Sequence, residues 1–151
     1  MSAPRTPPLN RMVIAVLSMA GLFVALYLLA NKLGLTGPLI CGIGECATVQ
    51  ASRWSTVGPV PVSALGAGGY ISLLAVSLFG LQTAGLTSRA VSALLLGLSV
   101  VALAFSAYLT FLEAFVIRAW CQWCVISAIL VTIIFVAALA EVGRLRGGSK
   151  A

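Results

Sequence analysis

The chain contains no histidine. That absence excludes a histidine-based catalytic triad, the common helical zinc-protease motif and histidine-ligated haem. Acidic residues are nearly missing too: Glu45, Glu113 and Glu141 are the three among 151 positions. They are scattered, which argues against paired-carboxylate chemistry. Charge of either sign amounts to 8% of residues, where a soluble domain carries about 25%. A chain that is 61% hydrophobic cannot cover a surface with polar groups, so lipid is its solvent.

What is present is long apolar runs. Four stretches, at about 12–31, 62–81, 90–117 and 121–140, have the length and composition of membrane spans, for which roughly 20 apolar residues suffice. The expected fold is an all-α membrane protein, a four-helix bundle with a cysteine-bearing extracytoplasmic loop and a short interfacial helix. The expected organisation is a disordered Pro-rich cytoplasmic tail at 1–10, a membrane domain at 11–142 and a basic, frayed cytoplasmic tail at 143–151. The first run is longer than a usual signal-peptide core. Leu28-Leu29-Ala30 also lacks the small residue that a cleavage site needs. A first membrane helix is therefore expected.

The net charge of +6 is explained by the flanks of the spans rather than by nucleic acid. With four spans, Arg5, Arg11, Arg89, Arg144, Arg146 and Lys150 fall on one side. Lys32, Arg53 and Arg118 fall on the other. Six against three puts both termini in the cytoplasm. All four cysteines then lie near the opposite face, which is oxidising in a bacterium.

Those cysteines carry the chemistry. Cys121-Gln122-Trp123-Cys124 opens the fourth span, where a helix N-terminus favours thiolate over thiol. Cys41 and Cys46 enclose Gly42-Ile43-Gly44-Glu45, a spacer whose glycines make it compliant enough to close a disulfide or release a cysteine to another partner. Three readings compete: a tetrahedral zinc site, two static disulfides, and a relay of two exchanging pairs. The relay is favoured, because Cys-x-x-Cys closes a very small loop and the second pair abuts a membrane helix. Such a relay needs a donor outside and an acceptor in the bilayer. A quinone in an apolar pocket between helices suits the second role.

Other residues are secondary. Residues 47–55, with Arg53 and Trp54, read as a short helix along the outer membrane surface. Gly58-Pro59-Val60-Pro61 ends it, with Pro61 in a first helical turn. Gly66, Gly68 and Gly69 allow close helix packing. Glu113, near the outer end of the third span and beside Arg118, is a functional candidate by its depth. A structural or interfacial role is the stronger expectation for it.

These features resemble a bacterial member of the vitamin K epoxide reductase family. The likeness rests on four spans, a loop cysteine pair after the first, and Cys121-Gln122-Trp123-Cys124 opening the fourth. It also rests on Ser52, six residues after Cys46, on Trp54, Gly58 and Pro61, and on Tyr108-Leu109-Thr110-Phe111-Leu112-Glu113. The resemblance implies a membrane thiol–disulfide oxidoreductase with Cys41, Cys46, Cys121 and Cys124 as its catalytic cysteines and no metal. A periplasmic thioredoxin-like oxidase would reduce the loop pair at Cys41. Cys46 would pass electrons to Cys121, and Cys124 would hand them to a membrane quinone of the menaquinone or ubiquinone type. Ser52 would contact the quinone or hold the loop over it. Many bacterial relatives carry a fused thioredoxin-like domain. This sequence, ending at Ala151, is expected to use a separate partner and to reside in the bacterial inner membrane. Ala128 stands where relatives that reduce the epoxide often have tyrosine, so plain quinone is the expected acceptor. The non-enzymatic alternative is a four-helix membrane protein with structural disulfides.

Overall fold

Lipid solvation leaves every backbone polar group to be satisfied within the segment, so each apolar run is helical. The computed structural model describes residues 8–82 and 85–148. It contains α1 (Leu9–Lys32), a short α2 (Cys46–Ala51), a 3₁₀ turn (Arg53–Ser55) and a two-stranded hairpin. The hairpin pairs β1 (Thr56–Val57) antiparallel with β2 (Val60–Pro61). Three more long helices follow: α3 (Val62–Leu81), α4 (Arg89–Phe111) and α5 (Gln122–Gly148). Among the described residues, four helices are long and apolar enough to cross a membrane. The expected four-helix membrane bundle, with its cysteine-bearing loop between the first two long helices, is the observed architecture.

Local chemistry differs from expectation in four places. Pro61 closes the hairpin and precedes α3 instead of lying in its first turn; Gly58 makes the hairpin turn at φ +60°. The third span changes pitch after Phe111. Residues Leu112–Ile117 form a π-helical turn that ends at Arg118 in the left-handed region, φ +56°. Near the C-terminus, α5 continues helical through Gly148 across the stretch expected to fray. Arg11, expected to precede the first span, lies within α1 and is buried. The expected tails at 1–7 and 149–151 lie outside the described residues.

The long helices form a closed ring. α1 packs on α3 and α5, and α4 packs on α5 and α3. Ile14, Tyr70, Leu73, Leu95, Val131 and Ile134 meet at its centre. Large apolar side chains such as Val16, Phe23, Val101 and Val136 face outward, as lipid-facing residues do. Gly21 is needed for the α1–α3 approach, since a Cβ there would run into the Tyr70 ring.

The end of the ring remote from the cysteines is tied by Arg11. Its guanidinium is fully buried and pairs with buried Glu141 of α5 at 2.9 Å. It also donates to the carbonyls of Gly80 (2.5 Å) and Gly85 (2.6 Å) and to Ser92 Oγ (3.0 Å). One planar fork thus satisfies groups from α3, α4, α5 and the α3–α4 turn. Breaking a buried pair strands a charge at about 3–5 kcal/mol. Arg11→Met is therefore expected to lower unfolding stability in detergent micelles by that order. Arg144→Ala, which removes the half-exposed second partner of Glu141, should cost about 1 kcal/mol or less. Equal losses in thermal unfolding of the two variants would contradict this division.

Candidate active site

The two spacer residues of Cys121-Gln122-Trp123-Cys124 hold the other cysteine loop. Gln122 Oε1 accepts from the backbone N–H of Gly42 (2.9 Å) and of Ile43 (3.0 Å). Trp123 Nε1 donates to the Ile40 carbonyl at 2.8 Å, and Tyr27 of α1 accepts from Ile40 N–H at 3.1 Å. The Tyr27 and Trp123 rings meet at 5.2 Å between centroids. Glu45 N–H donates to the Trp120 carbonyl at 2.7 Å, and Gly44 forms a β-bridge with Cys121. Gly44 adopts φ +95°, and a Cβ there would strike the Trp120 carbonyl oxygen. The glycine therefore serves close backbone approach. The loop expected to be compliant is docked on the start of α5.

Cys41 and Cys46 are joined as a disulfide, with Cα atoms 6.0 Å apart. Cys121 and Cys124 are free thiols. Cys46 and Cys121 are both buried and belong to one apolar cluster with Val49 and Ala119. Cys41 is less covered, at the edge of that cluster.

Cys121 immediately precedes α5, and its Sγ accepts from the Cys124 N–H at 3.4 Å. The sulfur thus occupies the position of an N-terminal cap, at the positive end of a long helix dipole. Hydrogen bonding from the Cys124 thiol holds the Cys121 thiol below the ordinary thiol range. Backbone N–H groups of Cys124 and Trp123 act in the same sense, while burial and the Glu113 carboxylate oppose it. The π-helical turn brings Glu113 to this point: its Oε2 accepts from Cys121 N–H at 3.1 Å. Glu113 is buried, whereas Arg118 is exposed.

Against α2 lies a partly open cavity of about 350 Å³ between the long helices. Its walls are mostly apolar, including Leu73, Val101 and Phe105, and its polar groups are few. Cys124 and Glu113 reach it from one side; Ser52 and Trp54 close it from the loop. Ser127 lies one turn below Cys124 and its Oγ is 2.7 Å from the Tyr70 hydroxyl. Ser63 Oγ, also in this wall, is buried with no hydrogen-bond partner among the described residues. An apolar slot of this size with an unpaired hydroxyl and a thiol suits a flat ring bearing carbonyl oxygens. The Ser52 hydroxyl donates to the Val49 carbonyl at 2.7 Å.

The Vitamin K epoxide reductase family model matches residues 12–139. The chain belongs to the vitamin K epoxide reductase family. It is accordingly a quinone-dependent thiol–disulfide oxidoreductase, a multi-pass membrane protein that works with a thiol redox partner and a membrane quinone.

For this family member the structure brings Cys41, Cys46, Cys121 and Cys124 to one end of the bundle and Ser52 to the cavity wall. Gln122, Tyr27, Ser63, Tyr70 and Ser127 escaped sequence reasoning. Helical spacing relates Cys124 to Ser127, a usable signal; nothing in the sequence pairs Gln122 with residues 42–43. Trp54, expected at the membrane surface, is a cavity residue with the Arg53 guanidinium 4.8 Å from its ring centroid.

Loss of the Cys124 thiol removes the main support of the Cys121 thiolate. In protein lacking the loop pair, the thiolate absorbance is expected to persist below the ordinary thiol value of about 8.5. Cys124→Ala should move its onset to higher pH. An onset unchanged by Cys124→Ala in an ultraviolet pH titration would contradict this source of stabilisation.

Proposed function

We propose that this enzyme takes electrons from a periplasmic thioredoxin-like oxidase and delivers them to quinone in the cavity, supporting disulfide bond formation. Cys41 meets the partner, Cys46 exchanges with Cys121, and Cys124 faces the quinone. What supports this order above all is the docking of the loop on α5, with buried Cys46 and Cys121 in one cluster. The less covered position of Cys41 and the position of Cys124 in the cavity wall agree with it.

Each step is an exchange. The partner's dithiol reduces the Cys41–Cys46 disulfide and leaves oxidised. The Cys46 thiolate attacks Cys121 in a Cys121–Cys124 disulfide, and Cys124 departs as thiolate. Cys41 then attacks Cys46, which closes the loop disulfide and frees Cys121. When bound, quinone supplies a two-electron, two-proton acceptor. Ser52 caps the last turn of α2 through the Val49 carbonyl at the cavity wall, and Ser63 offers a hydroxyl to a ring oxygen. Menaquinone and ubiquinone both fit this chemistry.

Quinone reduction by the purified protein with a reduced thioredoxin-like donor tests the overall reading. The order is tested by trapping. A variant with Cys41→Ala and Cys124→Ala lacks both resolving thiols and is expected to accumulate a Cys46–Cys121 disulfide under mild oxidation. The reciprocal variant, retaining Cys41 and Cys124, should cross-link poorly. Equal cross-linking in non-reducing mass spectrometry would overturn the order.

The orientation belongs to the same proposal: bacterial inner membrane, both termini cytoplasmic, cysteines outside. The six-to-three charge split supports it. Reporter fusions within 82–88 and at the C-terminus are expected to give cytoplasmic signals. An external signal at either point would refute the orientation.

A further inference from the structure

Reduction of quinone consumes two electrons and two protons, and the surroundings of Cys121 and Cys124 have to hold those protons until they are needed. Two thiols supply them only if both sulfurs are protonated. Here Cys121 sits at the N-terminus of α5 with the Cys124 N–H aimed at its sulfur, a position suited to thiolate. The dithiol state is then short of one proton, and a second carrier must stand nearby.

Glu113 has that position. It is buried, it lines the same cavity as Cys124, and it accepts from Cys121 N–H. No ion pair to it exists among the described residues. Cys121 at the start of α5 contacts it directly, and the titratable groups that share its cavity are Cys124 of α5 and Tyr70 of α3, whose hydroxyl is held by Ser127. Cys46, from the loop, is in its disulfide. Arg53 and Arg118 are exposed, and Lys32 donates to the Gln50 carbonyl and Ser55 Oγ. A buried cluster without a cation bears one negative charge at far less cost than two. Thiolate at Cys121 and carboxylate at Glu113 therefore exclude each other.

We propose that Glu113 is a catalytic residue that carries one of the two protons, with a single negative charge alternating between Cys121 Sγ and the Glu113 carboxyl. In the oxidised state the pair is a disulfide and Glu113 is a carboxylate. The loop dithiol brings two electrons and two protons. One proton goes to Cys124, the other to Glu113, and Cys121 is left as thiolate. On quinone reduction the Cys121–Cys124 bond re-forms, two electrons leave, and the protons of Cys124 and Glu113 leave with them. The carboxylate returns, and the cluster holds one negative charge throughout.

This rests on the assignment of Cys121 and Cys124 as the quinone-facing pair. The test uses the full chain with Cys41→Ala and Cys46→Ala, equilibrated with glutathione over about two pH units below the ordinary thiol value of about 8.5. Glutathione gives up two protons per disulfide formed. If the reduced pair and Glu113 take up both, the equilibrium constant is independent of pH. Glu113→Gln keeps an oxygen for Cys121 N–H but takes no proton, so its constant is expected to change tenfold per pH unit. Redox difference infrared spectra of the protein with native Glu113 should show a protonated carboxyl band on reduction, lost in Glu113→Gln. Single-turnover quinone reduction by Glu113→Gln should fall about a hundredfold, within the usual range for a positioned acid or base.

A pH-independent constant in Glu113→Gln, or a missing carboxyl band with native Glu113, would overturn the proton role. The infrared measurement stands without any Glu113 variant, should Glu113→Gln fail to fold. A reduced native protein that transfers nothing to quinone would instead bring down the assignment of the pair.

Discussion

The docking of residues 40–45 on residues 120–123 is the interaction on which the rest of the site depends. It is built almost wholly from backbone groups of the loop: Ile40, Gly42, Ile43 and Glu45 each hydrogen-bond to the start of α5 or to a side chain on it. Each such bond is worth only about 0.5–1.5 kcal/mol net. Together they fix a segment that contains two glycines and has little side-chain packing of its own. The consequence is chemical. Disulfide exchange needs sulfurs in contact, and a loop on this tether holds Cys46 in one buried cluster with Cys121, as the proposed relay requires. The spacer residues Gln122 and Trp123 thus hold the other cysteine loop of the same chain.

A docked loop also closes the cavity. α2 and the 3₁₀ turn lie across the open end of the helix ring, anchored by Lys32 through Gln50 and Ser55. Below them the ring leaves room that its small residues and its outward-facing large ones permit. At the other end Arg11 and Glu141 hold the same four helices together. The bundle is therefore tied by polar contacts at both ends and packed by apolar ones between. Lipid gives no hydrophobic force to drive helices together, so contacts of this kind carry the association.

The acidic residues divide along the same line. Glu141 is matched by Arg11 and Arg144 and is structural. Glu113 is also buried but lies beside thiols and a backbone donor, with no ion pair among the described residues. In a chain with so few charges, a buried carboxyl free of ion pairing beside two thiols is the more informative of the two.

Composition and spacing determined much of this. Long uncharged runs demand helices in lipid, because no other segment satisfies its backbone there, and four runs make a bundle. Two cysteine pairs in a chain without histidine narrow the chemistry to sulfur, and the motif around Ser52 and Cys121–Cys124 pointed to the family. Ranges of helices were legible to within a few residues at most ends. What remained hidden depends on contacts between distant parts of the chain. The pairing of Gln122 with Gly42, the Arg11 fork and the Tyr70–Ser127 contact join residues far apart in sequence, and no local pattern encodes a partner. Glu113 shows the limit most clearly. In sequence it lies near the outer end of the third span, beside Arg118. The π-helical turn rotates Glu113 inward and leaves Arg118 exposed, because a change of helical pitch moves every side chain after it.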